Sequence, residues 1–181
     1  MDNGEAFRNL LCAARLVDDP VLSRLNDIVL GDARFQTAPA GSEEHPHQKF
    51  KGGLVVHVNE VMNNVFLMTA GTPSDELITA VIWHDYMKIK DYEMATDNGP
   101  VIKTQYQKQI RHLAGSAMEF HAEARGVLPV EQLERIEHLL LSHHGRREWG
   151  SPVEPQTAEA YILHTADMMS AKGCNIGDSL S

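Results

Sequence analysis

His57, the adjacent pair His84-Asp85, and Asp167 are the residues of this 181-residue chain whose types and spacing best suit a metal ion. Neutral imidazole binds borderline divalent metals, and carboxylates suit harder ones. A carboxylate has two oxygens, so Asp85 could bridge two metals. A metal held by these four side chains keeps open positions for water and for a phosphate oxygen. It would lower the pKa of that water and polarise the phosphoryl group, and a second metal about 3.5–4 Å away would clamp the attacking and leaving oxygens. Asp167 is the most telling member. It interrupts the apolar run from Tyr161 to Met169, and a buried Asp is rarely left unpaired. His121 and His138 read as surface or satisfied histidines. His164, one turn before Asp167, reads as a partner behind a ligand.

These residues, with His112 and the pair His143-His144, fall within or at the end of different expected helices. Residues 5–17 and 20–29 pattern as two short amphipathic helices, the second with Leu22, Leu25 and Ile28 on one stripe. A long irregular stretch, GDARFQTAPAGSEEHPHQKFKGG, follows and reads as a loop. Loops of that length inside a domain are usually functional. Helical spacing resumes near Leu54 and continues to about Met68. Gly71-Thr72-Pro73-Ser74 breaks it, with Ser74 as the N-cap of a helix reaching about Lys88. Residues 91–111 are polar, with Asp97-Asn98-Gly99-Pro100 as a turn signal. Further helices are expected from about His112 to Gly126, from Pro129 to Ser142, and from about Gln156 to Lys172. Strand signals are weak throughout, so the expected class is all-α. Bundled helices can project such groups inward to one point.

Composition narrows the setting. Hydrophobic residues make up 43% of the chain, near the globular average, and the length suits one domain over residues 1–181. Within it, residues 1–30 form N-terminal helices and residues 50–172 a metal-binding helical core. Cys12 and Cys174 form no CxxC pair and read as reduced thiols. The N-terminus lacks a signal-peptide pattern, and no segment approaches a membrane span. The expected location is cytoplasmic, with no membrane partner. The formal charge of -9 argues against a long nucleic-acid track, although bound cations would reverse the sign inside a cleft.

The order H…HD…D resembles that of the HD-domain metal-dependent phosphohydrolase superfamily. Within it, FKGGLVVHV (50–58), AVIWHDYMKI (80–89), LLLSHHGRREWGSPVEP (139–155) and EAYILHTADMMSAK (159–172) resemble the HD domain of the YhaM-type 3′→5′ exoribonucleases. RFQTAPAG (34–41), followed by His45 and His47, is similar to that family's lead-in. The resemblance implies an HD-domain helical bundle with its metal site in the core. It makes His57, His84, Asp85 and Asp167 the core ligands. His112 matches the family's middle histidine, and His143 and His144 its histidine pair, so a dinuclear site is implied. Lys88 matches the lysine of the HDxxK signature, placed to contact phosphate or position the nucleophile. The exoribonucleases carry an OB-like RNA-binding domain ahead of the HD domain, and the expectation here is a stand-alone HD domain.

The leading expectation is therefore a metal-dependent phosphohydrolase acting on a small nucleotide, such as the deoxynucleoside triphosphate dATP. The alternative is a 3′-5′ exonuclease or phosphodiesterase acting on an RNA or single-stranded DNA 3′ end. A di-iron oxygenase is a third reading from another class. Asp85, Lys88 and His112 are the candidate catalytic residues. Lys88, Arg146, Arg147 and His47 are candidate phosphate contacts, with Lys51 as a further one, and Trp149 could stack on a base. His143 and His144 could each ligate metal or donate a proton to the leaving oxygen. The ligand set allows two divalent transition metals, Mn, Fe or Co, with Zn or Mg also admissible. A homo-oligomer could assemble through the N-terminal helices.

Overall fold

The computed structural model describes residues 2–42, 48–97 and 99–173. Its elements run in the order α1 (Asn3–Ala14), α2 (Pro20–Gly31), α3 (Ala33–Thr37), α4 (Gly53–Met68), α5 (Asp75–Trp83), α6 (Lys88–Asp91), β1 (Tyr92–Met94), β2 (Val101–Lys103), α7 (Gln105–Gln109), α8 (His112–Ala124), α9 (Val130–Ser142) and α10 (Ala158–Ala171). The all-α expectation holds, with one addition. β1 and β2 pair antiparallel, Tyr92 opposite Lys103 and Met94 opposite Val101. Strands of three residues carry too little alternation to register as a pattern.

Local chemistry explains most boundaries. Asp2 caps α1 by accepting from Glu5 N–H, and Ala6, Leu10 and Ala13 form its buried face. Asp19 caps α2 by accepting from Val21 and Leu22 N–H, with Pro20 in the first turn. Ser74 caps α5 as its sequence position suggests, accepting from Leu77 N–H at 3.1 Å. The expected helix from Ser74 to Lys88 ends early, at Trp83. His84, Asp85, Tyr86 and Met87 then form tight turns, with Lys88 N–H donating to the Asp85 carbonyl at 2.9 Å. The long loop before α4 also contains helix α3, which periodicity could not show over five residues.

Helices α4 and α5 form the centre. From Leu77 to Trp83 every residue of α5 is buried, and α4 is buried from Gly53 to Asn59. α4 packs against α10 and α1, while α5 packs against α2 and α9. The entry to α4 depends on two glycines. A Cβ at Gly53 would lie 1.9 Å from the Gln48 carbonyl oxygen, and Gly52 has φ +82°. The freed N–H groups at this end bind backbone carbonyls instead of a side-chain cap: Leu54 donates to Ala38, and Gly52 to Thr37. Trp83 packs edge-on against both Tyr86 and Phe120, each at 5.3 Å between centroids, and so ties the turn after α5 to α8. No helix among the described residues is long and apolar enough to cross a membrane.

Phe120 is wholly buried. Phe120→Ala is expected to cost about 3–5 kcal/mol of unfolding free energy, read by urea denaturation. A loss under 1 kcal/mol would show that the α5–α8 contact is not part of the cooperative core.

Candidate metal centre

The turn after α5 places two chemically active side chains side by side. His84 continues the helical path, with its N–H bonded to the Ala80 carbonyl at 2.8 Å, and Asp85 follows with only 1% exposure. The turn is pinned from α8, where the Ser116 hydroxyl accepts from Met87 N–H at 3.1 Å. His57 enters from α4. Its Nε2 lies 3.0 Å from Asp85 Oδ2 and 3.1 Å from Asp167 Oδ1, the latter projecting from α10. His84 Nε2 lies 3.5 Å from Asp85 Oδ2. The other oxygen of Asp85 faces a second group. Its Oδ1 is 3.3 Å from His112 Nε2 and 3.8 Å from His143 Nε2, and His144 Nε2 lies 3.2 Å from His112 Nε2. Two sets of donors therefore share Asp85: His57, His84, Asp85 and Asp167, and Asp85, His112, His143 and His144. In each set the donor atoms lie within 4.8 Å of one another.

The hydrogen bonds behind the rings decide what these donors can do. His84 Nδ1 is 2.7 Å from the Val81 carbonyl, His143 Nδ1 2.6 Å from that of Leu140, and His144 Nδ1 3.0 Å from that of Trp149. His112 Nδ1 is 2.7 Å from Asp91 Oδ2. These oxygens only accept, so each Nδ1 carries the proton. His57 Nδ1 meets the Ser170 hydroxyl at 2.9 Å, and that hydroxyl donates onward to Glu60 Oε2 at 2.7 Å. It too accepts from the imidazole. In the neutral ring, Nε2 is then a bare lone pair. Five such lone pairs converge, and those of His57 and His84 face each other at 3.4 Å. Among the described residues His143 Nε2 has no hydrogen-bond partner, and neither oxygen of Asp85 accepts a well-angled hydrogen bond, although Lys88 Nζ lies 2.5 Å from Oδ2. Buried polar atoms left in this way call for an ion, a water or a catalytic role, and here several of them converge. Mixed imidazole and carboxylate donors, each imidazole oriented from behind, fit divalent transition metals.

Comparison with known proteins points the same way. The chain is 34% identical over 148 residues to a protein named 3′-5′ exoribonuclease YhaM from Bacillus subtilis, covering 78% of this chain and 45% of the relative. It is 31% identical to the protein of that name from Oceanobacillus iheyensis over a 189-position alignment, covering 99% of this chain and 57% of the relative. This chain is an HD-type relative of the YhaM exoribonucleases. It spans about half the length of the curated relatives it matches. No protein-family model and no solved structure matches it.

The HD pair, His84-Asp85, thus lies at the junction of the two donor sets. All seven expected ligands come together: His57, His84, Asp85, His112, His143, His144 and Asp167. Of the expected substrate contacts, Lys88 and Trp149 line a cleft of about 490 Å³ that opens onto the HD-type site. Arg146 and Arg147 do not line it. The Arg146 guanidinium instead lies 4.9 Å from the centre of the Trp149 ring. Lys51 pairs with Asp97 at 2.9 Å, away from the cleft. His47 and Cys174 lie outside the described residues. His164 supports from behind as expected, its Nδ1 2.8 Å from the His143 carbonyl. A Cβ at Gly145 would lie 2.2 Å from the His164 ring, and Gly145 has φ +82°, so only glycine fits the close approach there. His121 pairs with Glu137 at 2.6 Å, and His138 accepts from Gln156 N–H at 3.0 Å; neither belongs to either donor set.

Sequence reasoning missed Asp91, Lys103 and Arg111. Asp91 is fully buried and holds His112 twice, through Nδ1 and through the backbone N–H at 3.1 Å. Its spacing was a usable signal: Asp85, Lys88 and Asp91 recur every three residues. Arg111 and Lys103 line the cleft from segments whose sequence reads only as polar loop.

Electrostatics separate the histidines. Burial lowers the basicity of His84, and lowers that of His143 well below the ordinary value. For His144 burial, helped by His112, brings the pKa down to about 4. All three are neutral and ready to ligate at pH 7. For His57, burial acts in the same direction but is outweighed by the Asp167 and Asp85 carboxylates, which lift its pKa to about 9. Asp85 and Asp167 are held well below the usual carboxylate range. Burial opposes this, but Lys88 and His84 outweigh it at Asp85, and the His57 contact at Asp167. Without a metal, a proton on His57 serves as the local cation. In the metal-free protein that proton contributes stability fully present below about pH 6.5 and lost as pH rises through about 9. Metal must displace it. Mn affinity, measured by competitive chelation, is expected to strengthen as pH rises from 6.5 towards about 9. A flat profile over that window would contradict the placement of His57 among the ligands.

Proposed function

We propose that this chain is a metal-dependent phosphodiester hydrolase that shortens single-stranded RNA from its 3′ end. The observation that carries the reading is the pair of donor sets joined at Asp85, whose members His57, His112, His144 and Asp167 line a cleft with cationic walls. Among the described residues, Lys88, Lys103, Arg111 and Lys172 line that cleft, and Asp167 is the one carboxylate in the lining. The net charge of -9 describes the whole surface and not this wall. It loses its force as an argument against a polyanionic substrate. A cleft of about 490 Å³ suits one terminal nucleotide. The activity named for the relatives, 3′-5′ exoribonuclease, supports the polymer reading. The leading expectation from sequence, a deoxynucleoside triphosphate such as dATP, draws no support from them. One HD domain over residues 1–181 is the domain reading that accompanies this proposal.

Bound at the two donor sets, divalent metals would supply an activated water and charge compensation at the phosphorus. The residues of the chain do the rest. Asp85 holds the two sets in register through its two oxygens. His143 is fully buried and does not line the cleft, so it cannot reach a leaving oxygen and is assigned to ligation. His144 lines the cleft, but burial keeps it unprotonated at neutral pH, which argues for ligation over proton donation. The Lys88 ammonium, 2.5 Å from Asp85 Oδ2 and facing the cleft, is a cation positioned to meet a phosphoryl oxygen. Water adds to phosphorus, the bond to the 3′ oxygen of the preceding nucleotide breaks, and that oxygen takes up a proton. Trp149, 42% exposed at the cleft rim, offers a face for the terminal base.

A 5′-labelled single-stranded RNA incubated with Mn is expected to shorten stepwise and release nucleoside monophosphates. An intact oligonucleotide beside dATP split to deoxyadenosine and triphosphate would restore the nucleotide reading and sink this one. Asp85→Ala is expected to abolish turnover and lower bound metal. Lys88→Ala is expected to keep its metal and lose roughly 100-fold in rate. If Lys88→Ala loses metal in proportion to rate, Lys88 is structural. Trp149→Ala is expected to raise KM about tenfold with kcat little changed; equal KM values would remove stacking from the account.

A further inference from the structure

Among the described residues of the cleft, Arg111 is the one whose backbone is held in a conformation its side chain disfavours. Its φ is +67° and its ψ 152°, a region populated almost only by glycine. The strain is held in place from several sides. Arg111 N–H and Ile110 N–H both donate to the Tyr106 carbonyl, the Arg111 carbonyl accepts from Gly115 N–H at 3.0 Å, and the next N–H, of His112, is taken by Asp91. Packing leaves no slack beside it, since a Cβ at Gly115 would lie 2.2 Å from the Tyr106 hydroxyl. A segment this over-determined can keep an arginine where another residue would fold more easily.

The reversed backbone gives two neighbours one target. His112 turns its ring into the second donor set, and the Arg111 guanidinium enters the cleft beside it. Across the cleft edge, Gly150 has φ +103° and no side chain. A Cβ there would lie 3.4 Å from Arg111 Nη1 and 3.9 Å from His144 Nδ1, so the guanidinium and the back of a second-set histidine both rest against the bare Gly150 backbone. Arg34 and Arg135 are each paired to a carboxylate within 3 Å, and Arg146 approaches Glu148. Among the described residues no carboxylate pairs with Arg111.

We propose that Arg111 is a phosphate clamp, holding two non-bridging oxygens of a substrate phosphate beside the second donor set. The proposal rests on the reading of the cleft as a phosphodiester site and adds the residue that orients the ester within it. A guanidinium presents two parallel N–H groups matched to two phosphate oxygens, which a lysine cannot reproduce. Lys88 meets the phosphate from the Asp85 side and Arg111 from the His144 side, so the phosphate is gripped across its width.

Inorganic phosphate titrated into desalted Mn-loaded protein, followed by calorimetry, reads this subsite without turnover. Wild type is expected to bind phosphate. Arg111→Gly removes the fork and suits the backbone. It is expected to bind at least tenfold more weakly, to keep its metal, and to melt roughly 2–4 °C higher. Arg111→Lys is expected to fall between the two in affinity. Equal phosphate affinity in wild type and Arg111→Gly overturns the clamp, as does a wild type that binds no phosphate, or loss of metal from Arg111→Gly. Phosphate bound through Arg111 by a protein that leaves RNA intact keeps the clamp and sinks the exonuclease reading. RNA shortened equally by wild type and Arg111→Gly does the reverse.

Discussion

Lone pairs facing one another in a dry interior are the constraint on which this structure turns. Five imidazoles are fixed from behind by carbonyls, a carboxylate and a hydroxyl, and every outward nitrogen then points at the same small volume. Two carboxylates share that volume. Such a group is repulsive unless positive charge enters it. Lys88 and a proton on His57 answer part of the demand. The rest of the demand selects for metal. Helices α4, α5 and α10 bring the first donor set together, and α8 and the end of α9 bring the second. The fold is thus organised around a deficit that its own residues leave incomplete.

The most buried helix does the most positioning. Because α5 is enclosed from Leu77 to Trp83, its axis cannot shift, and the HD pair inherits that rigidity. Trp83 transmits it to Phe120 in α8, and Ser116 of the same helix holds the turn from the other side. Core packing and ligand geometry are here one network. The supporting shell extends outward through Asp91, Ser170, Glu60 and His164, none of which reaches the shared volume itself.

Much of this was legible in the sequence, for identifiable reasons. Asp167 announces itself as a charge inside an apolar helix, and the ordered strings around His57, His84-Asp85 and His143-His144 fix the resemblance. Helix periodicity over twelve or more residues was readable in α2, α4 and α9. The hairpin and α3 were not, since three- and five-residue elements hold no full period. The cationic wall was hidden for another reason. Lys103, Arg111 and Lys172 lie far apart along the chain, and only folding sums their charge in one place. Summing over all residues gave -9 and suggested the opposite. The Arg146-Arg147 pair shows the converse: adjacent cations drew attention although neither lines the cleft.

The first donor set spans 110 positions, from His57 to Asp167. α10 must dock on α4 before that set closes, and the pairing is among the most distant in the chain. A polypeptide emerging from the ribosome therefore exposes His57, His84 and Asp85 well before their fourth companion is synthesised. Closure of that set waits for α10, and a chain interrupted ahead of α10 is left without a complete first set.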